Sequence, residues 1–116
     1  MANRLRGEID AEIDGEQRRL CLTLGALAEL ESAFGASDLA ALADRFQNGR
    51  LSARDVIHII ACGLRGGGMK VSDTDVAGMR TPDGLIGFIR IAADLVTATF
   101  GDPKDDSPRP SPPQDA

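Results

Sequence analysis

The sequence predicts an α+β fold that is mostly α: an N-terminal β-hairpin followed by about five short helices in one domain. Three observations predict this fold. Apolar and charged residues alternate from residue 7 to residue 24, the apolar spacing then changes to that of a helix, and two later segments share one helix-start pattern. We place the domain at residues 1–101 and a disordered, proline-rich tail at residues 102–116.

The hairpin is predicted from the alternation and from the dipeptide Asp14-Gly15, which suits the positive φ angles of a type I′ turn. A four-residue turn would keep the same parity, so the sequence indicates the buried face but not the register. The two-residue turn gives two favourable cross-strand pairs, Asp10 with Arg19 and Ile9 with Leu20.

The first two helices follow from apolar stripes at helical spacing. The first stripe is expected to end at Gly35, a plausible left-handed stop, and Ser37 can cap the second helix, which ends near Asn48-Gly49. The stripes are Leu24, Leu27, Leu30 and Phe34 in the first helix and Leu39, Leu42 and Phe46 in the second.

The next two helix starts carry Ser-x-x-Asp, at Ser52 to Asp55 and at Ser72 to Asp75. In each, the serine hydroxyl can accept from a free backbone amide while the aspartate favours the positive end of the helix, as in a short capping box. The helix after Ser52 is apolar over most of its circumference, so we expect it to be central and to stop at the glycines of residues 66–68.

The last helix is predicted to start at Thr81-Pro82-Asp83, with proline at its first position. It should be the longest helix and should end at Gly101. The tail beyond holds five of the six prolines and no large apolar residue, which is typical of a disordered segment. The apolar stripe predicted to face the core is Leu85, Phe88, Ile89, Ala92, Leu95, Val96 and Phe100.

Composition argues against several classes of function. The chain has 116 residues, four phenylalanines as its only aromatics, and a net charge of −5, which disfavours base stacking and phosphate binding, so no nucleic-acid partner is expected. Residues 1–16 contain no apolar run of signal-peptide length and no later stretch approaches a membrane span, so we expect a cytoplasmic protein without a membrane partner. Cys21 and Cys62 are far apart, with His58 as the one further soft ligand, so a metal site would be short of ligands.

No catalytic or cofactor-binding pattern meets its chemical requirements. The glycine-rich segment at residues 63–70 lacks Ser or Thr after Lys70, and a helix instead of a strand leads into it, which argues against a phosphate-binding loop. The segment at residues 52–79 lacks the acids of a calcium-binding hand, and its second helix presents Asp73 and Asp75 where a DNA-reading helix would need other residues. His58, the single histidine, lies in the most apolar helix and is expected to be half-buried with one hydrogen bond. We therefore predict a non-enzymatic protein without cofactor or metal.

The candidate functional residues are acidic side chains that fit protein binding. Three alternate along the first strand, where a solvated face is the simpler interpretation. Two lie on the first helix without a cation at i+4, so we expect them to contact Arg45, Arg50 or Arg54, or else a partner. These protein-binding candidates are Glu8, Asp10, Glu12, Glu29 and Glu31.

A family resemblance rests on four blocks in order: Leu-Thr-Leu-Gly-Ala-Leu-Ala-Glu-Leu-Glu at residues 22–31, Phe-Gly at 34–35, Gly-Arg-Leu-Ser-Ala-Arg-Asp at 49–55 and Ala-Cys-Gly-Leu-Arg at 61–65. Together they resemble the small tail proteins of gene transfer agents, the phage-derived particles of α-proteobacteria, over residues 7–101. The family is classed with phage tail assembly chaperones, although such proteins are sometimes labelled tail tube proteins.

The resemblance implies a helical chaperone that holds the tape measure protein soluble, helps to recruit tail tube subunits, and then leaves. A tube subunit would more typically be rich in long strands, whereas this sequence predicts one short hairpin. We therefore expect an assembly chaperone, with a structural tail component or a small regulatory or DNA-associated helical protein as alternatives. Weak self-association is left open.

Overall fold

The computed structural model describes residues 3, 6–47 and 51–101 of the chain. It contains a two-stranded antiparallel sheet followed by five helices, which confirms the predicted α+β architecture. The predicted tail at residues 102–116 and the predicted helix end at Asn48-Gly49 lie outside the described residues. The elements are β1 (Glu8–Ile13), β2 (Glu16–Cys21), α1 (Leu24–Phe34), α2 (Leu39–Gln47), α3 (Ala53–Gly66), α4 (Asp73–Ala77) and α5 (Gly84–Phe100).

The hairpin turns at Asp14 and Gly15, whose φ angles are 56° and 80°. Both angles are positive, as a type I′ turn requires, so the two-residue alternative is correct. Asp14 also fixes the connection between α4 and α5, because its amide donates to the Arg80 carbonyl and its carboxylate accepts from the Arg80 amide, both at 2.8 Å. The register pairs Ile9 with Leu20 and Asp10 with Arg19, as predicted.

Helix α3 is the central element, and the prediction of its position is confirmed. It contacts β2, α1, α4 and α5, and its residues 59–64 are all buried. Ile9, Ile13 and Leu20 of the hairpin belong to the same apolar core. Helix α5 contributes Ala92 and Leu95 to this core.

Local hydrogen bonds explain where three of the helices begin. Ser52 accepts from the Asp55 amide at 3.1 Å while the Asp55 carboxylate accepts from the Ser52 amide at 2.9 Å. Ser72 and Asp75 form the same pair of bonds at the start of α4, so both predicted capping boxes are confirmed. At α1, Thr23 accepts from the Ala26 amide.

Two predicted helix starts are wrong. The carboxylate of Asp38, and not Ser37, accepts from the Ala41 amide at 2.8 Å and caps α2, because Asp38 directly precedes the first helical residue. Helix α5 begins at Gly84, after the predicted proline position, since the Thr81 backbone and hydroxyl both bond to Gly84 and form a separate turn. The predicted ends of α1 and α5 are correct: Gly35 and Gly101 directly follow these helices and have φ angles of 69° and 88°.

Four residues of the predicted apolar stripes are exposed instead of buried, and one of them, Leu39, is 42% exposed at the first position of α2. Leu24 is 76% exposed at the first position of α1. Leu85 and Ile89 are 69% and 49% exposed in the first two turns of α5. Helix α4, which precedes α5, has five residues and packs on α3, so it does not cover those turns. None of the helices in the described ranges is both long and apolar enough to cross a membrane.

Candidate functional site

An apolar groove lies where α3, α4 and α5 meet and has a volume of about 350 Å³. The buried side chains of Val56, Ile60 and Val76 form part of its lining, so the core itself supplies its wall. Ser52 is the one polar side chain among the described lining residues, and its hydroxyl already accepts from the Asp55 amide. We call this set the α3–α5 groove: Leu51, Ser52, Ala53, Val56, Ile57, Ile60, Val76, Ala77, Leu85, Phe88 and Ile89.

Exposed aliphatic side chains border the groove. Leu85 and Ile89 are four residues apart on one face of α5 and line the groove directly. Ile86, 57% exposed, lies beside them in the same turn. Three large aliphatic residues exposed together beside an apolar depression are typical of a protein interaction site, whereas a single exposed leucine is ordinary.

A second candidate site is a polar cluster that joins α1, α3 and the start of α4. Its centre is His58, whose Nδ1 lies 2.7 Å from a carboxylate oxygen of Asp73 and whose Nε2 lies 3.3 Å from a carboxylate oxygen of Glu29. The imidazole is half-buried, as predicted, but it has two acidic partners where one hydrogen bond was expected. These partners come from residues distant in sequence, which the packing of α1 and α4 on α3 brings together.

Arg65 completes the polar cluster one helical turn beyond Cys62. Its Nη2 donates to the Glu29 carboxylate at 3.0 Å and to the Cys62 sulfur at 3.4 Å. Its Nη1 donates to the Val71 carbonyl at 3.0 Å and lies 3.6 Å from Asp73. The guanidinium therefore bridges both acids of the cluster.

Cys62 is the buried member of this cluster. Burial raises the pKa of the Cys62 thiol from 9.0 to about 12, and the nearby Glu29 carboxylate is the second largest cause of this increase. The Arg65 guanidinium acts in the opposite direction and lowers the pKa. The thiol is therefore protonated at neutral pH. One potential ligand atom from each of Glu29, His58 and Cys62 lies within 4.8 Å of the other two, so the three residues are close enough to be considered together as metal ligands.

The acidic residues predicted to bind a partner fall into separate places. Glu8, Asp10 and Glu12 lie on the face of β1 opposite the buried Ile9 and Ile13. Glu8 accepts from the Asn3 amide at 3.0 Å and lies 4.0 Å from Arg6.

The two acids of α1 also differ from each other. Glu29 pairs with Arg65 and His58, neither of which was among its expected partners, and the expected Arg45 lies 3.9 Å from Asp55 instead. Glu31 is half-buried and joins none of these contacts. Arg50 lies outside the described residues. Partner binding by the five acids stays a prediction.

Two features of the sites were not predicted from the sequence. The α3–α5 groove was missed because Leu85 and Ile89 fit a core-facing stripe equally well. The link between Glu29 and Arg65 spans 36 residues, so no local spacing indicates it. A signal was present in the lack of a cation four residues after Glu29, which pointed to a distant partner without identifying it.

Comparison with known proteins shows the class of protein to which this chain belongs. A family model described as phage tail tube protein, GTA-gp10, matches residues 6–102, which include the hairpin and all five helices. The class is therefore that of phage-type tail proteins. The chain belongs to this GTA-gp10 family, in agreement with the resemblance to gene transfer agent tail proteins. Neither the curated proteins nor the solved structures give a match.

Proposed function

We propose that this protein is a non-enzymatic tail assembly chaperone, which holds the tape measure protein soluble and helps to recruit tail tube subunits during particle assembly in the cytoplasm. Family membership supports a role in the tail. The chaperone function is proposed from the exposed apolar row of Leu85, Ile86 and Ile89 beside the α3–α5 groove. A protein that binds and releases an aggregation-prone partner needs such a surface.

The proposed occupant of the groove is the apolar face of an amphipathic helix in the tape measure protein. A groove between helices with aliphatic walls and no charged lining residue suits anchors spaced at i, i+3 and i+4. The chain contains no Trp or Tyr, the residues most enriched at binding hot spots. Aliphatic contacts of this kind favour modest affinity, which suits a chaperone that must leave.

The acidic face of β1 is proposed as a secondary contact. Glu8, Asp10 and Glu12 form a row on the hairpin, and such a row contributes to the rate of encounter more than to affinity when a partner is basic.

Co-expression with the tape measure protein tests the proposal. The full chain should increase the soluble fraction of that protein and co-purify with it, and Leu85→Asp should reduce both at least several-fold. Leu24→Asp is the matched control, because Leu24 is similarly exposed at 76% but lies outside the groove. Circular dichroism should show that both variants keep the helical fold. Equal recovery with Leu85→Asp and with the wild-type chain would reject the groove as the docking site.

The description of the matched family as a phage tail tube protein favours one alternative, a structural component of the tail tube. The described residues hold a single two-stranded sheet, which supports the chaperone instead. Quantitative analysis of purified particles distinguishes the two functions. A chaperone should be absent or far below one copy per tube subunit, whereas a structural component should be present in fixed stoichiometry.

A further inference from the structure

The polar cluster contains three side chains, Glu29, His58 and Cys62, whose potential ligand atoms lie within 4.8 Å of one another. His58 Nε2 lies 3.3 Å from a Glu29 carboxylate oxygen and 4.0 Å from the Cys62 sulfur. His58 and Cys62 are four residues apart on α3 and therefore share one face of the helix, while α1 brings Glu29 to the same place. Imidazole, carboxylate and thiol side chains are all ligands that zinc takes in proteins.

The hydrogen bond to Asp73 fixes the orientation of the imidazole. A carboxylate at 2.7 Å can only accept, so Nδ1 carries a proton and donates it to Asp73. Nε2 also faces a carboxylate oxygen, that of Glu29, to which it donates in the protonated ring, whereas in the neutral ring its lone pair is available to a metal ion. A carboxylate behind a histidine, with the other ring nitrogen left for a metal ion, is the usual arrangement around metal-bound histidine.

We propose that Glu29, His58 and Cys62 bind a divalent transition metal of the zinc type, with Asp73 as the residue that orients His58. Tetrahedral zinc with bonds of about 2.0–2.3 Å places neighbouring ligand atoms roughly 3.3–3.6 Å apart. The separations of 3.3 and 4.0 Å from His58 need side-chain adjustments of a few tenths of an ångström. The Glu29 and Cys62 ligand atoms lie within 4.8 Å of each other, and this pair must also close to the tetrahedral spacing. Three protein ligands leave a fourth position for water, and the thiol favours zinc or cobalt over magnesium or calcium.

Arg65 supplies the positive charge of this cluster when no metal ion is bound. Its Nη2 lies against both the Glu29 carboxylate and the Cys62 sulfur, and a metal ion would replace this nitrogen. Nη1 can keep its bond to the Val71 carbonyl, so the side chain does not have to leave its place on α3. Coordination forms the metal–sulfur bond as the thiol loses its proton to solvent, because the thiolate is the metal ligand.

Titration of the reduced, chelator-treated full chain with Co²⁺ tests the site. One equivalent should produce a thiolate-to-cobalt charge-transfer band together with intense tetrahedral ligand-field bands, and one equivalent of Zn²⁺ should abolish both. Absence of the charge-transfer band from the wild-type chain would overturn the proposal.

Variants identify the ligands and provide the controls. Cys62→Ala should lose the charge-transfer band, whereas Cys21→Ser, at the other free cysteine, should keep it. Glu29→Gln changes a half-exposed side chain and should weaken Co²⁺ binding at least tenfold even if Cys62→Ala folds poorly. Asp73→Asn should weaken binding roughly 10- to 100-fold, as loss of a partner behind a ligating histidine does. A band that survives Cys62→Ala, or that disappears in Cys21→Ser, would place the metal elsewhere and reject these ligands.

Discussion

Replacement of Gly66 by alanine should destabilise the protein, because the last turn of α3 lies directly against the backbone of β2. A Cβ at Gly66 would lie 1.8 Å from the Cys21 carbonyl oxygen and 3.0 Å from its carbonyl carbon. Cys21 is held in place by its pairing with Glu8 in the sheet, so the oxygen cannot turn aside as a flexible side chain would. The helix and the strand must therefore separate.

Two opposing contributions to the free energy of unfolding set the size of the loss in Gly66→Ala. Real Cβ atoms essentially never approach another heavy atom closer than 3.0 Å, so α3 must move by at least 1.2 Å, the difference between 3.0 and 1.8 Å. Overpacking of this kind costs roughly 1–3 kcal/mol, while Gly→Ala within a helix returns about 0.5–1 kcal/mol. Since backbone atoms form the obstacle, we expect the upper part of the range and a net loss of about 2 kcal/mol.

Urea and thermal denaturation followed by circular dichroism measure this loss. For a domain of this size about 2 kcal/mol lowers Tm by roughly 8–16 °C. Gly25→Ala is the matched control, because Gly25 is an exposed helical residue whose added Cβ would meet its nearest neighbour at 3.9 Å. That variant should be more stable than the wild type by up to about 1 kcal/mol. If both variants change stability in the same direction, the close approach of α3 to β2 is not as described.

Two further predictions concern the capping boxes and the buried thiol. Ser52→Ala and Ser72→Ala should each lower the free energy of unfolding by about 1 kcal/mol in urea denaturation. The control Ser32→Ala, an exposed change within α1, should change it by no more than about 0.5 kcal/mol. An equal loss at Ser32 would contradict the capping explanation. Burial raises the pKa of Cys62 from 9.0 to about 12, so between these pH values the folded chain keeps a proton that the unfolded chain has lost. The stability of the wild type relative to Cys62→Ala should therefore be constant below pH 9.0 and fall by about 1.4 kcal/mol per pH unit above it, and a difference that does not change with pH would contradict the burial of the thiol.

Local signals in the sequence were sufficient for the hairpin and for the two capping boxes. Asp14-Gly15 and the repeated Ser-x-x-Asp pattern are satisfied by neighbours within a few residues, so the chain needs no tertiary information to form them. The prediction of the start of α5 was wrong because a competing local turn forms there. Pro82 suits a first helical position, but the turn closed by Thr81 and Gly84 occupies that part of the chain and delays the helix.

The sequence indicates only part of the polar cluster. His58 and Cys62 are four residues apart on α3, so their spacing alone places them on one face of the helix. Neither spacing nor charge in the sequence indicates that Asp73 contacts His58. Glu29 joins them because α1 packs on α3 after the hairpin, a long-range event that a single sequence does not specify. The soft ligands along the chain, Cys21, Cys62 and His58, therefore give no sign of the Glu29 carboxylate, which completes the proposed metal site.

The exposed turn of α5 shows the limit of hydrophobic periodicity most directly. The stripe from Leu85 to Phe100 is uniform in sequence, yet Ala92 and Leu95 are buried while Leu85 and Ile89 are 69% and 49% exposed. Periodicity identifies a face that must leave water, and it does not say whether the same chain or another molecule covers that face. Under the proposed chaperone function, the same apolar stripe of α5 would supply core residues at one end and the partner-binding surface at the other. The comparison of Leu85→Asp with Leu24→Asp tests this interpretation, because both substitutions add a charge to an exposed leucine but only one of them changes the groove.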